Sequence, residues 1–245
     1  MKRTRASVLE LFKERGRGAE IGVFAGNFTK RILRQVNPTK LYLIDPWVNF
    51  DDPGLEKSWY GKESKYDMEL MYQDLTEQFS RRVANGQVEF LRGKTVDMMH
   101  HIEDQSLDFV YVDGDHRYDA VKIDIEMAYQ KVKPGGHIAV DDHVLGYWWE
   151  DGVVRAVNEF VGRYPRDISI VACDENQVVL QRHTTDIANG LTDDAPDFED
   201  IETVAEALMP QEPQIAANTA LPEEKPQGLV SRMSSLFGRS STAEV

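Results

Sequence analysis

A chain of 245 residues with 41% hydrophobic residues can bury a sizeable core, and its formal charge of -14 argues against nucleic acid or an anionic membrane surface as a general partner, since both call for basic faces. That charge is uneven, because twelve acids stand against three bases from Thr184 to Val245. The single cysteine, Cys173, excludes an internal disulfide, no apolar run reaches membrane-spanning length, and the N-terminus lacks a continuous signal-peptide core, so a cytoplasmic protein without a transmembrane segment is expected.

Apolar strand-like runs alternate with helix-like segments along most of the chain. AEIGVFA (19–25) reads as a strand, NFTKRILRQV as a helix and LYLIDPW (41–47) as a second strand. A helical segment around 63–83 precedes the strand VEFL (88–91), and TVDMMHHI precedes LDFVYVD (107–113). YDAVKIDIEMAYQKV then leads to HIAVDD (137–142), and DGVVRAVNEFVGRY leads to DISIVAC (167–173) and QVVLQR (177–182). Strands separated by helices need crossover connections, so the expected fold is α/β: a Rossmann-like, seven-stranded, mostly parallel sheet with helices on both faces. Only three residues separate the last two strands, which predicts a terminal antiparallel hairpin. Cys173, inside an apolar run, is expected to be a buried structural thiol.

Residues 1–183 form the expected domain, and 184–245 read as an acidic, disordered tail. Within it DFEDIETVAEALM and GLVSRMSSLFGR have the spacing of short amphipathic helices that can fold on a protein or membrane partner.

The first strand runs into Glu20-Ile-Gly22-Val-Phe-Ala-Gly26-Asn-Phe-Thr29 and then a helix, a turn that lets backbone approach a small ligand. The E-x-G-x-x-x-G spacing lacks the paired glycines of a dinucleotide site, and a nucleoside without phosphates fits it better. Asp45 at the tip of the second strand can accept two hydrogen bonds from a ribose diol. Asp113 closes the fourth strand and Asp141 with Asp142 the fifth, so three carboxylates converge on one crevice. Their repulsion calls for a divalent cation, a shared proton or a paired Lys or Arg; for a cation, all-oxygen ligation indicates magnesium, manganese or calcium. The segment 46–66 is long and aromatic, with Trp47, Phe50, Trp59 and Tyr60, and reads as a lid; Tyr147, Trp148 and Trp149 supply an opposite wall.

These stretches, with Ile44-Asp45-Pro46-Trp47, Val112-Asp113-Gly114-Asp115-His116 and Lys133-Pro134-Gly135-Gly136 followed by Asp141-Asp142, resemble the successive motifs of class I S-adenosylmethionine-dependent methyltransferases. The set is most similar to the branch that contains metal-dependent O-methyltransferases of antibiotic sugars, over residues 15–182. The resemblance implies that Glu20, Gly22 and Gly26 line the methionine part of S-adenosyl-L-methionine, that Asp45 holds its ribose, and that Asp113 also borders the cofactor. Lys94, in Gly93-Lys94-Thr95, stands at the adenine edge where relatives often carry a small or acidic residue. It further implies a cation, Mg2+ or another oxygen-preferring ion, on Asp113, Asp141 and Asp142. Asp115 is the preferred general base for an alcohol acceptor, with His116 second and His143 a further ligand or base.

The reading that follows is divalent-metal-dependent O-methylation of a hydroxyl on a sugar, glycan or other small molecule, with homo-oligomerisation left open. Metal-independent methylation of nitrogen or a carboxylate, and a non-catalytic methyltransferase-like scaffold, are the rivals.

Overall fold

The computed structural model describes residues 7–174 and 176–184, so the expected acidic tail and its two amphipathic stretches lie almost wholly outside the described residues. Seven strands make one sheet: β1 (Arg17–Ile21), β2 (Lys40–Asp45), β3 (Val88–Arg92), β4 (Leu107–Val112), β5 (Val132–Val140), β6 (Ile168–Asp174) and β7 (Gln177–Arg182). Their spatial order is β3-β2-β1-β4-β5-β7-β6, with β7 antiparallel to both β5 and β6 and the other pairs parallel. The chain winds outward from β1 to β3 and then returns to place β4 on the other flank of β1. This reversal opens a crevice at the carboxyl ends of β1 and β4, where ligands of doubly wound sheets bind.

Among the described residues six α-helices flank the sheet: α1 (Asn27–Gln35), α2 (Met68–Gln78), α3 (Ser80–Ala84), α4 (Thr95–Met98), α5 (Tyr118–Lys131) and α6 (Gly152–Arg163). Every residue of β4 is buried, and from Phe109 to Val112 its side chains alternate between the faces as a pleated strand requires. Val110 and Val112 join Val121, Ile125 and Ala128 of α5 and Val153, Val157 and Phe160 of α6 in one core. Phe109 and Tyr111 join Phe12 and the α1 residues Phe28, Ile32 and Leu33 in the other. The stacks Phe12–Phe109 and Phe28–Tyr111, with centroids 4.4 and 4.0 Å apart, hold α1 and the N-terminal turn against the sheet.

Three departures from the sequence expectations have physical causes. The helical segment 63–83 breaks at Phe79, which is buried and outside helical geometry, giving α2 and α3. Strand β5 begins at Val132, five residues earlier than its apolar run, because Val132 pairs with Leu107 before Lys133-Pro134-Gly135-Gly136 bulges out and pairing resumes at His137 opposite Phe109. Cys173 is exposed, since β6 is the edge strand of the sheet and one of its faces is open.

Candidate active site at the strand tips

Gly22 leaves β1 at φ +81°, and a Cβ there would lie 2.0 Å from the carbonyl oxygen of Asp113 at the tip of β4. Only glycine lets the two strand tips come this close. Gly26 caps α1 at φ +65°, where a Cβ would meet Leu75 of α2 at 2.6 Å. Glu20 is buried within β1 and its Oε2 accepts the Thr29 hydroxyl of α1 at 2.6 Å. Phe24, Trp47 and Asp142 have positive φ without being glycine, so backbone strain gathers at these strand ends.

Asp45 sits at the tip of β2 and is 1% exposed. Its Oδ1 accepts the Trp47 N–H at 2.7 Å, and its Oδ2 accepts the N–H groups of Val23 and Phe24, each at 2.9 Å. The Tyr60 hydroxyl donates to the same Oδ2 at 2.5 Å. Burial pushes the Asp45 carboxyl above its ordinary range, and the four hydrogen bonds oppose that push.

Tyr60 belongs to the expected lid. The loop closes on itself, with the Phe50 N–H donating to the Tyr60 carbonyl at 2.8 Å, and it lies on the glycine turn through Phe24, whose ring centroid is 4.6 Å from Trp59 and 5.0 Å from Tyr66. Trp47 is fully buried and donates its Nε1–H to the Phe24 carbonyl at 3.0 Å. Lys94 caps α4 and its Nζ stands 5.4 Å from the Phe50 ring centroid, so it faces the lid at the edge of the crevice.

Beyond β4, the donors that come together are Asp113, His116 and Asp142, whose ligand atoms lie within 4.8 Å of one another. His116 Nε2 is 3.4 Å from Asp113 Oδ1 and 3.3 Å from Asp142 Oδ2. Burial works to lower the His116 pKa, but the Asp113 hydrogen bond and the charges of Asp113, Asp142 and Asp141 outweigh it and raise the pKa. The group suits a divalent cation, which would relieve the repulsion between two carboxylates that the imidazole relieves only when protonated.

Asp141, expected as the third acid, lies outside this group. It is buried and its Oδ2 accepts the Tyr111 hydroxyl at 2.9 Å, which in turn accepts from Gln177 Nε2 at 2.7 Å. The pleat explains this: Asp141 continues the alternation that sends Ala139 toward the α1 face, while Asp142 escapes it by turning to φ +53°. His116, expected as a base, takes the vacated place among the donors.

Asp115, the preferred base, points elsewhere. Arg117 grips it through Nε at 3.1 and 2.9 Å and through Nη2 at 2.6 Å, and uses Nη1 to hold Asp52 of the lid at 2.9 Å. Both Asp115 oxygens are thereby occupied by one guanidinium. His143 is present as the third candidate: burial lowers its pKa, and its Nε2 is buried with no hydrogen-bond partner.

Two groups escaped the sequence reading. Arg117 sits in plain sight beside Asp115, but its second partner, Asp52, is 65 residues away. Asp124 is buried in α5 beneath the Asp113–His116 loop, bonded to Thr95, and burial pushes its carboxyl up to about 7. Its signal was an acid at a core-facing position of an apolar helical stripe, one residue before the buried Ile125. A Cβ on Gly114 would lie 2.8 Å from Asp124 Oδ2, so the loop rests on this acid.

The family profile described as methyltransferase domain matches residues 19–143, just over half of the chain. The chain belongs to the methyltransferase domain family. Its described residues carry the class I methyltransferase fold. Among curated proteins, the uncharacterized protein R132 of Acanthamoeba polyphaga mimivirus is 36% identical over 76 residues, which are 29% of this chain and 34% of that protein. The match therefore spans about a third of that relative's length. Among solved structures, the O-methyltransferase NovP superposes with a TM-score of 0.52 at 21% identity, covering 69% of this chain and 72% of that one. The O-methyltransferase TomG from Streptomyces achromogenes, involved in tomaymycin synthesis and solved in complex with SAM, gives 0.50 at 16% identity over 69% and 74%. At these identities the two show a shared fold. No helix among the described residues is long and apolar enough to cross a membrane.

Proposed function

We propose that this methyltransferase moves the methyl group of S-adenosylmethionine to a hydroxyl oxygen of a sugar, glycan or other small molecule, with a divalent cation beside the acceptor. The observation that carries the reading is the grouping of Asp113, His116 and Asp142 at the strand tips next to those that carry Gly22 and Asp45. A cation held by Asp113, His116 and Asp142 would lower the pKa of an alcohol that ligates it, and S-adenosylmethionine would supply the methyl group, leaving as S-adenosylhomocysteine. Glu20 and the glycine turn would bind the methionine part and Asp45 the ribose. With His116 Nε2 among the cation's donors and both Asp115 oxygens held by Arg117, His143, next in the chain to Asp142, is the proton-acceptor candidate left.

The mixed donor set adjusts the choice of metal. Two carboxylates and one imidazole suit manganese better than an all-oxygen set would, and they make magnesium a weaker match. Acceptor stacking would fall to the wall after β5, where Trp149 lies 4.7 Å from His116 and stacks at 4.7 Å on Tyr147, a ring that is 58% exposed. NovP and TomG are described as O-methyltransferases, which agrees with an oxygen acceptor.

Calorimetric titration of Mn2+ into the wild type and Asp142→Asn tests the metal half directly. Binding by the wild type, and its loss by at least tenfold in the variant, is the expected result; equal binding by both would remove the cation from this site. Because His116 must shed its proton to ligate, affinity should rise with pH through its raised pKa.

A further inference from the structure

Asp45 is saturated with hydrogen-bond donors. A carboxylate offers about four lone-pair sites. Here four donors converge on it: the N–H groups of Val23, Phe24 and Trp47, and the Tyr60 hydroxyl. The three backbone donors belong to the turns after β1 and β2 and cannot leave without dismantling those turns. Tyr60 is the one partner on a separable element. Asp45 is 1% exposed, so an incoming hydroxyl reaches it only where the lid gives way.

We propose that Tyr60 is a positioning residue of the cofactor site whose hydroxyl holds the place on Asp45 that a ribose hydroxyl takes, so that nucleoside binding proceeds by exchange of one hydroxyl for the other. The proposal rests on the assignment of Asp45 as the ribose acceptor. Two features make the exchange workable. The lid is a compact loop with paired ends, Phe50 N–H to the Tyr60 carbonyl and Phe50 beside Gly61, so it can swing as one body. Its other fastenings include the rings of Trp59 and Tyr66 on Phe24, Lys94 against the Phe50 ring, the buried Leu55, and Asp52 on Arg117. A ligand bringing a diol regains at Asp45 the bond that Tyr60 gives up, whereas one without hydroxyls leaves a buried carboxylate short of a donor.

Apparent affinity in such a site is the intrinsic affinity reduced by the fraction of protein with the lid released. Trp59 lies on the lid with its ring 4.6 Å from that of Phe24, so tryptophan fluorescence of the full-length chain in a stopped-flow mixer can follow S-adenosylhomocysteine binding, with calorimetry for the equilibrium. Tyr60→Phe should bind roughly tenfold tighter and associate faster, by the loss of one charge-assisted hydrogen bond. Asp52→Asn, which loosens the lid without touching Asp45, should also associate faster. Asp45→Asn should weaken binding in both the wild-type and Tyr60→Phe backgrounds. Unchanged or weaker binding by Tyr60→Phe alongside a weakened Asp45→Asn overturns the exchange alone. Unchanged binding by Asp45→Asn overturns the ribose assignment and the exchange with it. If Tyr60→Phe does not fold, the Asp52→Asn association rate decides, and a rate equal to or below wild type counts against the proposal.

Discussion

Gly22 and Asp124 show how single positions set the crevice. At Gly22 a methyl group would sit 2.0 Å from a backbone carbonyl at positive φ, with no flexible side chain to move aside. Gly22→Ala should therefore separate the tips of β1 and β4 and lower S-adenosylhomocysteine affinity at least tenfold, measured by calorimetry, while circular dichroism reports an intact sheet. Asp124 makes a different prediction. Its folded pKa of about 7 lies above the ordinary carboxylate value, so the folded state holds a proton that the unfolded chain releases as pH rises. Stability from this group is thus complete at low pH and lost between about pH 4 and pH 7. Asp124→Asn, which can still accept from Thr95, should match the wild type in urea melts near pH 4 and exceed it by up to a few kcal/mol near pH 8. Equal stabilities at pH 8 would show that the carboxyl ionises without cost. What the sequence hid at this scale was partnership. The order Asp113-Gly114-Asp115-His116 shows four groups close in the chain, but Arg117 withdraws Asp115 toward the lid, and His116 alone folds back between Asp113 and Asp142.

Among the elements, α5 carries the greatest mechanical burden at the site, because it begins directly behind the Asp113–His116 loop and packs Val121, Ile125 and Ala128 against β4. Truncating the fully buried Ile125 to alanine should cost about 2–5 kcal/mol in denaturant unfolding, through lost transfer energy and the cavity left behind. The lid is held differently, by polar and aromatic contacts over little core. Arg117→Lys keeps the charge but cannot fork onto both Asp115 and Asp52, so hydrogen exchange of the 50–61 amides should quicken while the β4 amides stay protected. Equal protection across the lid would mean that Arg117 is not what fastens it. Strand and helix types were legible from the apolar periods, and β7 was found to the residue because Gln177–Arg182 is bounded by turn and solvent. Boundaries failed where pairing overrode composition, as at the bulge that carries β5 back to Val132. The face of Asp141 was legible in principle, since two successive residues of a pleated strand cannot point the same way. What the sequence could not show was the turn to positive φ that frees Asp142.

Across the whole molecule, the chemistry follows from where the winding direction changes. Loops after β1, β2, β4 and β5 meet at one end of the sheet and bring Gly22, Asp45, Asp113 and Asp142 to neighbouring strand tips, although 120 residues separate the first from the last. The fold was readable because alternating strands and helices admit few arrangements, and the final hairpin fixed one of them. The acceptor is a property of loop shape, and neither the aromatic lid nor the wall of Tyr147–Trp149 could be given a form from composition. A chain ended after His183 should keep the wild-type melting temperature and S-adenosylhomocysteine affinity, a check on the expectation that residues 1–183 form the folding unit. The most direct test of the whole account is an anomalous difference map from crystals soaked with Mn2+ and S-adenosylhomocysteine. One manganese peak ligated by Asp113, His116 and Asp142, with the ribose diol on Asp45, is the predicted result. A peak elsewhere, or a nucleoside that avoids the turn at Gly22, would contradict it.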